Sequence, residues 1–289
     1  MTAVAAQPTD NVEHPSGKGR SGENFPVGSW LIPAPLRPHV HAFYRFARMA
    51  DDVADASDLV PEEKVRRLDR MAEVLDGADG DADAPAAAAM ARSLKMSGVA
   101  SIHCHELLAA FRQDALKNRY DDWADLMAYC RLSAAPVGRY LLDLHGENRD
   151  TWPAADSLCA ALQVLNHLQD CGDDYRQLDR VYLPADIMAA EGCSLSDLAG
   201  NRCVPPLRRV LDRVIDLTRP LVDQAGALPG GTANRGLRAE SAVIVALAAR
   251  LLDQLTRRDP LAERVKLGTF GTLLAAVTGL VRCFAGGAA

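Results

Sequence analysis

Asn166, Asp170 and Asp174 stand four residues apart in the stretch LQVLNHLQDCGDDYRQLDRVYLP (162–184). Residues at i and i+4 stack on one face of a helix. One amide and two carboxylates would therefore form a column about 12 Å long. Leu162, Val164, Leu165 and Leu168 around them are apolar, so the helix is expected to be largely buried. Stacked like charges cost a helix a few tenths of a kcal/mol each, and more where water is excluded. A hard divalent cation offsets that cost. Mg2+ takes oxygen ligands and fills its other positions with water or phosphate oxygens.

A second acidic group lies in FYRFARMADDVAD, where Asp51 and Asp55 are again four apart and Asp52 is adjacent. Arg48 precedes Asp52 by one turn, and Tyr44 precedes Arg48 by one turn. Alone, the Asp51–Asp55 pair reads equally well as an exposed helix end. Two such helices facing each other would frame a cavity with cation sites on both walls. A diphosphate suits that cavity, held by metal ions and by Arg48 and Arg180. Other chemistries fail on residue type. An EF-hand beginning at Asp51 would need a ligand at Val53 and glycine at Ala56. A di-iron bundle needs Glu-x-x-His pairs, absent from both clusters. There is no P-loop and no GxGxxG. His103-Cys104-His105 looks like metal-ligand material, but adjacent residues point to different helix faces, so packing and surface roles are expected.

These residues must be positioned by helices. Among 289 residues, hydrophobic types make up 48 %, aromatics only 5 %, and alanine and leucine abound while β-branched runs are scarce. Helix patterns run from Pro35 or Pro38 to Asp55, then over 61–75, 86–96, 102–118, 122–145, 152–175, 205–225, 234–254 and 267–284. Asp122 is a plausible N-cap. Pro136 and Gly138 inside 122–145 imply a kink, which would either make room for a ligand or be purely structural. DGADGDADAP (76–85) reads as a solvated connection, and 176–188 as a loop holding Arg180 and Tyr182. The expectation is one all-α bundle of nine to eleven helices around a central cavity, spanning 21–289 behind a disordered tail, 1–20.

A net charge of −6 offers no nucleic-acid surface. Seven scattered cysteines without a CxxC imply reduced thiols and a cytoplasmic setting. The apolar stretch 267–281 is too short to span a bilayer; it reads as a buried terminal helix or one touching the membrane interface.

YRFARMADDVAD together with NHLQDCGDDYRQLDRVYLP resembles the two aspartate-rich motifs of the squalene/phytoene synthase family, and the similarity runs from about residue 22 to 285. The resemblance implies an isoprenoid-synthase helical fold and a Mg2+-dependent reaction on a prenyl diphosphate. It implies metal-binding roles for Asp51, Asp55, Asn166, Asp170 and Asp174. Phe25, Arg48, Asp52, Val137, Arg180 and Tyr182 are implied as substrate-binding. Tyr44, Arg48, Tyr129, Gln163 and Tyr182 are implied at the catalytic cavity. By residue type alone, Tyr44, Tyr129 and Phe25 are equally core residues, and Gln163 is a weaker candidate still.

SGENFPVGSWLIP and CRLSAAPVGRYLL resemble the branch that converts presqualene diphosphate to hydroxysqualene in squalene and hopanoid synthesis. Many family members open with Ser-(Lys/Arg)-(Ser/Thr)-Phe, whereas this chain has Gly22-Glu23-Asn24-Phe25. Glu23 in place of a basic residue suits one diphosphate better than two. The alternatives are condensation of two farnesyl diphosphates to presqualene diphosphate, squalene or a C30 carotenoid precursor, and a non-catalytic assembly subunit. Long hydrocarbon substrate and product imply a peripheral encounter with the inner membrane face and a link to other enzymes of the same pathway.

Overall fold

Proline at the first or second helical position starts seven of the eleven α-helices among the described residues. Its fixed φ suits a first turn, and its missing N–H has no partner to lose there. The computed structural model describes residues 11–13, 31–267 and 278–279. The helices are α1 (Arg37–Asp55), α2 (Pro61–Leu75), α3 (Pro85–Ser97), α4 (Ile102–Leu116), α5 (Trp123–Ser133), α6 (Ala135–Leu144), α7 (Trp152–Leu178), α8 (Ala185–Ala190), α9 (Pro205–Ala225), α10 (Leu228–Gly231) and α11 (Arg235–Arg257). The architecture is all-α. The one bridge outside helices among the described residues pairs Arg119 with Val181 in parallel.

Two starts without proline use side-chain caps. Asp122 accepts from the Asp125 N–H, as the sequence suggests, and Asn234 accepts from the Gly236 and Leu237 N–H groups. The single kinked helix expected over 122–145 is two helices. Ala134, at φ −122° and ψ −46°, closes α5 and opens α6. Pro136 then occupies the first turn of α6, where its ring is tolerated, instead of an interior turn. Helix α7 runs three residues beyond the expected end at 175, and α8 occupies part of the expected 176–188 loop.

Apolar stripes pack in two groups. Helices α1 to α4 and α6 enclose Phe46, Leu68, Met71, Leu107 and Tyr140. Helices α5, α7, α9 and α11 enclose Leu126, Leu165, Leu168, Val210 and Leu252. Helix α7 packs against α5, α6, α9 and α11, while α1 packs against α2, α3 and α4. The acid-bearing faces of α1 and α7 therefore belong to different cores and meet between them.

Residues 11–13 fall within the stretch expected to be a disordered tail. Val12 is buried, and the Glu13 carboxylate accepts from the Ala86 and Ala87 N–H groups at the start of α3. Phe25, Glu23 and nearly all of the expected 267–284 helix lie outside the described residues. The 76–85 connection carries ion pairs from Arg70 to Asp83 and from Arg92 to Asp81. His103 is buried against Asp143 and His105 reaches Asp76, so the His-Cys-His triplet diverges as expected. The six described cysteines are all free.

Candidate active site

Where α1, α4, α5 and α7 converge, they enclose a cavity of about 280 Å³. Asp51 and Asp55 line it from α1, and Asn166, Asp170 and Asp174 line it from α7, together with Gln163. The two acidic groups therefore do face one space. Asp114 joins them from α4, Tyr129 and Ser133 from α5, and Arg180 and Tyr182 from the segment after α7.

That segment is held by its backbone. Asp179 adopts the left-handed conformation, φ 50°, and ends α7. The Arg180 N–H then donates to the Asp174 carbonyl at 3.2 Å, and the Val181 N–H to the Asn118 carbonyl at 2.9 Å. In this short extended piece Arg180 and Tyr182 fall on one side, since side chains alternate. Arg180 Nη1 donates to Asp55 Oδ1 at 2.6 Å, and Nη2 donates to the carbonyls of Ala54 and Asp114 at 3.2 and 3.1 Å. One buried guanidinium thus ties α1, α4 and the end of α7 together. Asp114 accepts from Tyr129 Oη at 2.8 Å and from Tyr182 Oη at 3.3 Å. The His167 ring stacks on Tyr182 with centroids 3.5 Å apart.

Among the described residues, five carboxylates and one guanidinium line this space: Asp51, Asp55, Asp114, Asp170 and Asp174 against Arg180. Burial and then Asp55 hold Asp51 well above the usual carboxylate range, although 36 % of its side chain still faces open space. Burial and then Asp170 push Asp174 up to about 8. Burial raises Asp114 to about 6 against the pull of Arg180. Burial pushes His167 down to about 3, with Arg180 acting in the same direction, so its imidazole is neutral. Burial, with Asp114 beside them, keeps Tyr129 and Tyr182 protonated.

A second cavity, of about 250 Å³, is lined by the preceding turns of α1 and α7. On α1 its wall passes through Val40, Phe43, Tyr44 and Ala47, and on α7 through Leu158 and Leu162. Each set lies just before the residues that line the acidic space. Val137 and Gly138 of α6 and Ile244 of α11 complete a lining that is almost wholly apolar.

Of the residues singled out in the sequence, Tyr44 and Val137 thus line the apolar space. Asp52 is 5 % exposed and lines neither cavity, because its carboxylate accepts from Arg48 at 2.8 Å. Arg48 also pairs with Asp51 at 3.1 Å. Asp114, Ser133 and His167 were not expected. Asp114 was detectable only as one of two isolated acids, with Glu106, in the apolar pattern of 102–118.

The donors suit a hard cation, since the acidic walls present carboxylate and amide oxygens and no thiol. Among the described residues, no three His, Cys, Asp or Glu side chains converge into a metal site by themselves.

A squalene/phytoene synthase family model matches residues 18–270. The chain is 43 % identical over 269 residues to a hydroxysqualene synthase of Zymomonas mobilis subsp. mobilis, an alignment covering 91 % of this chain and 90 % of the relative. To a hydroxysqualene synthase of Rhodopseudomonas palustris it is 44 % identical over 253 residues, covering 87 % and 86 %. The crystal structure of squalene synthase HpnC from Alicyclobacillus acidocaldarius shares the fold at a TM-score of 0.71 and 31 % identity, covering 80 % of this chain and 87 % of that one. The chain is thus an enzyme of the squalene/phytoene synthase family.

Proposed function

We propose that this enzyme converts presqualene diphosphate to hydroxysqualene, releasing diphosphate and capturing the resulting cation with water. One observation carries the reading: a five-carboxylate cavity and an apolar one of comparable size are lined by neighbouring stretches of the same two helices, α1 and α7. A diphosphate head on a branched hydrocarbon needs both spaces, side by side. The relatives named for hydroxysqualene formation support this branch over the others.

Asp51 and Asp55 on one wall, and Asn166, Asp170 and Asp174 on the other, would hold Mg2+. When bound, magnesium supplies the positive charge that binds the diphosphate and stabilises it as a leaving group. Arg180, and Arg48 beside Asp51, add cationic hydrogen-bond donors for phosphate oxygens. Tyr129 and Tyr182 stay neutral, so neither offers a phenolate to the cation. Val137, Leu158 and Leu162 wrap the hydrocarbon and exclude bulk water. Gln163 lines the acidic cavity next to Leu162 of the apolar one, and in this reading it orients the reacting end of the substrate, with Tyr44 in the apolar wall of α1. No helix among the described residues is long and apolar enough to cross a membrane. The product is a water-insoluble alcohol, so transfer at a membrane surface to other enzymes of squalene and hopanoid synthesis belongs to this reading.

The test is a product assay with Mg2+ and either presqualene diphosphate or farnesyl diphosphate, with and without NADPH. Hydroxysqualene from presqualene diphosphate alone, unchanged by NADPH, is the expected result. Presqualene diphosphate formed from farnesyl diphosphate would move the enzyme to the earlier condensation. No turnover of either would overturn this reading of the substrate.

A further inference from the structure

Among the described residues, the apolar cavity contains one carboxylate. Glu240, on the second turn of α11, lines it beside Tyr44, Leu158 and Ile244. The residue is 9 % exposed, and its Oε2 has no hydrogen-bond partner among the described residues. Among the described residues, no arginine, lysine or histidine lines this space. A buried carboxylate with neither ion pair nor hydrogen bond is costly, and leucine would pack at the same place without that cost. Burial alone raises the Glu240 pKa to about 7, so near neutral pH the group can carry or release a proton. Ser241 follows it, is equally enclosed at 5 % exposed, and lines the same cavity.

Such groups are satisfied by water where there is room and where two or more polar partners converge. The cavity is several times the volume of a water molecule, and Glu240 and Ser241 are its adjacent polar pair. We infer that Glu240 and Ser241 hold the water whose oxygen becomes the hydroxyl group of the product. The inference rests on the reaction proposed above and supplies what that reaction lacks. A carbocation in a dry hydrocarbon pocket ends by losing a proton to give an alkene, unless a water is already placed against it.

The step balances without a reductant. Diphosphate leaves with the electron pair of its C–O bond. The oxygen of the held water forms a new C–O bond to the cationic carbon. One water O–H bond breaks, and its proton passes to the Glu240 carboxylate. Glu240 acts here as a positioning residue for the water and as the acceptor of its proton.

The experiment uses Glu240→Leu and Glu240→Gln in the full chain, with presqualene diphosphate and Mg2+. Diphosphate release and the identity of the C30 products are measured separately. Glu240→Leu is expected to release diphosphate within about threefold of the parent, while the alcohol share of product falls about tenfold or more in favour of alkenes. Glu240→Gln keeps an oxygen that can hold the water but cannot take its proton, and its alcohol share is expected between those of the parent and Glu240→Leu. The near-isosteric Glu240→Gln carries the test if the leucine variant does not fold, and its alcohol share must then fall below the parent's. Unchanged alcohol share in the variants overturns the inference and leaves the proposed function standing. Parallel loss of diphosphate release and alcohol also overturns it, since that marks a structural role. If the parent itself makes no alcohol, the proposed reaction fails and takes this inference with it.

Discussion

The acidic side chains differ in what surrounds them, and the surroundings decide which were visible in the sequence. Asp51, Asp55, Asp170 and Asp174 announce themselves because each repeats at i,i+4 inside apolar sequence. Asp114 and Glu240 are single acids, and a single acid in a helix reads as a solvated position. Glu240 nonetheless leaves a trace: it lies between Leu237 and Ile244, where the stripe of α11 calls for an apolar residue. Its raised pKa has a consequence for stability. An acid whose folded value lies above its unfolded one makes the folded state bind the extra proton. The Glu240 contribution is therefore fully present below pH 4.5, its ordinary value, and is lost as pH rises through about 7. At 1.36 kcal/mol per pKa unit the loss amounts to about 3 kcal/mol. Glu240→Gln should escape it. In urea titrations from pH 4 to 8, the stability of Glu240→Gln relative to the parent is expected to rise with pH by about that amount. A difference that stays flat across the range would show that Glu240 is not buried as a carboxyl group.

At the scale of elements, the starts were the legible part. Pro61, Pro85, Pro153 and Pro205 each mark a first turn, and the α2 and α9 boundaries match the periodic pattern residue for residue. Reading 122–145 as one helix failed because periodicity continues across Ala134 while the backbone does not. The break matters for the cavity, since it lets α6 set Gly138 directly against α7. A Cβ built on Gly138 would stand 2.8 Å from Cys159 Sγ and 3.5 Å from the Ala155 Cβ. Gly138 is thus required by close helix packing, and both it and Cys159 line the apolar cavity. Gly138→Ala is expected to lower stability by about 1–3 kcal/mol through overpacking, despite alanine's better helix propensity. Cys159→Ala in the same chain should recover most of that loss, since it removes the clashing sulfur. A double-mutant cycle read by thermal melting tests this. Additive losses would show that Gly138 is constrained by something other than Cys159.

The described residues form two main apolar cores joined across a cavity that repels itself. Each core buries one acid-bearing helix, so folding brings Asp51 and Asp55 against Asp170 and Asp174 with Arg180 as the guanidinium among them. The sequence could show that both helices were acidic and buried. It could not show their distance, because that is set by how α4 and α5 separate α1 from α7. Charge stored across two cores gives the ligand a stabilising role beyond chemistry. A ligand that binds only the folded state adds stability as RT ln(1 + [L]/Kd), about 2.7 kcal/mol at a hundredfold excess over Kd. Mg2+ with inorganic diphosphate should therefore raise the melting temperature by roughly 5 °C or more at saturation. Diphosphate without Mg2+ should give little or no rise, since an anion meets five carboxylates. Asp170→Ala removes one repelling charge, so by itself it is expected to melt no lower than the parent. It should nevertheless abolish the shift with Mg2+ and diphosphate and lose most turnover. A full shift in Asp170→Ala, or an equal shift with diphosphate alone, would remove the α7 column from the cation site and leave the cavity's charge to be balanced by Arg180.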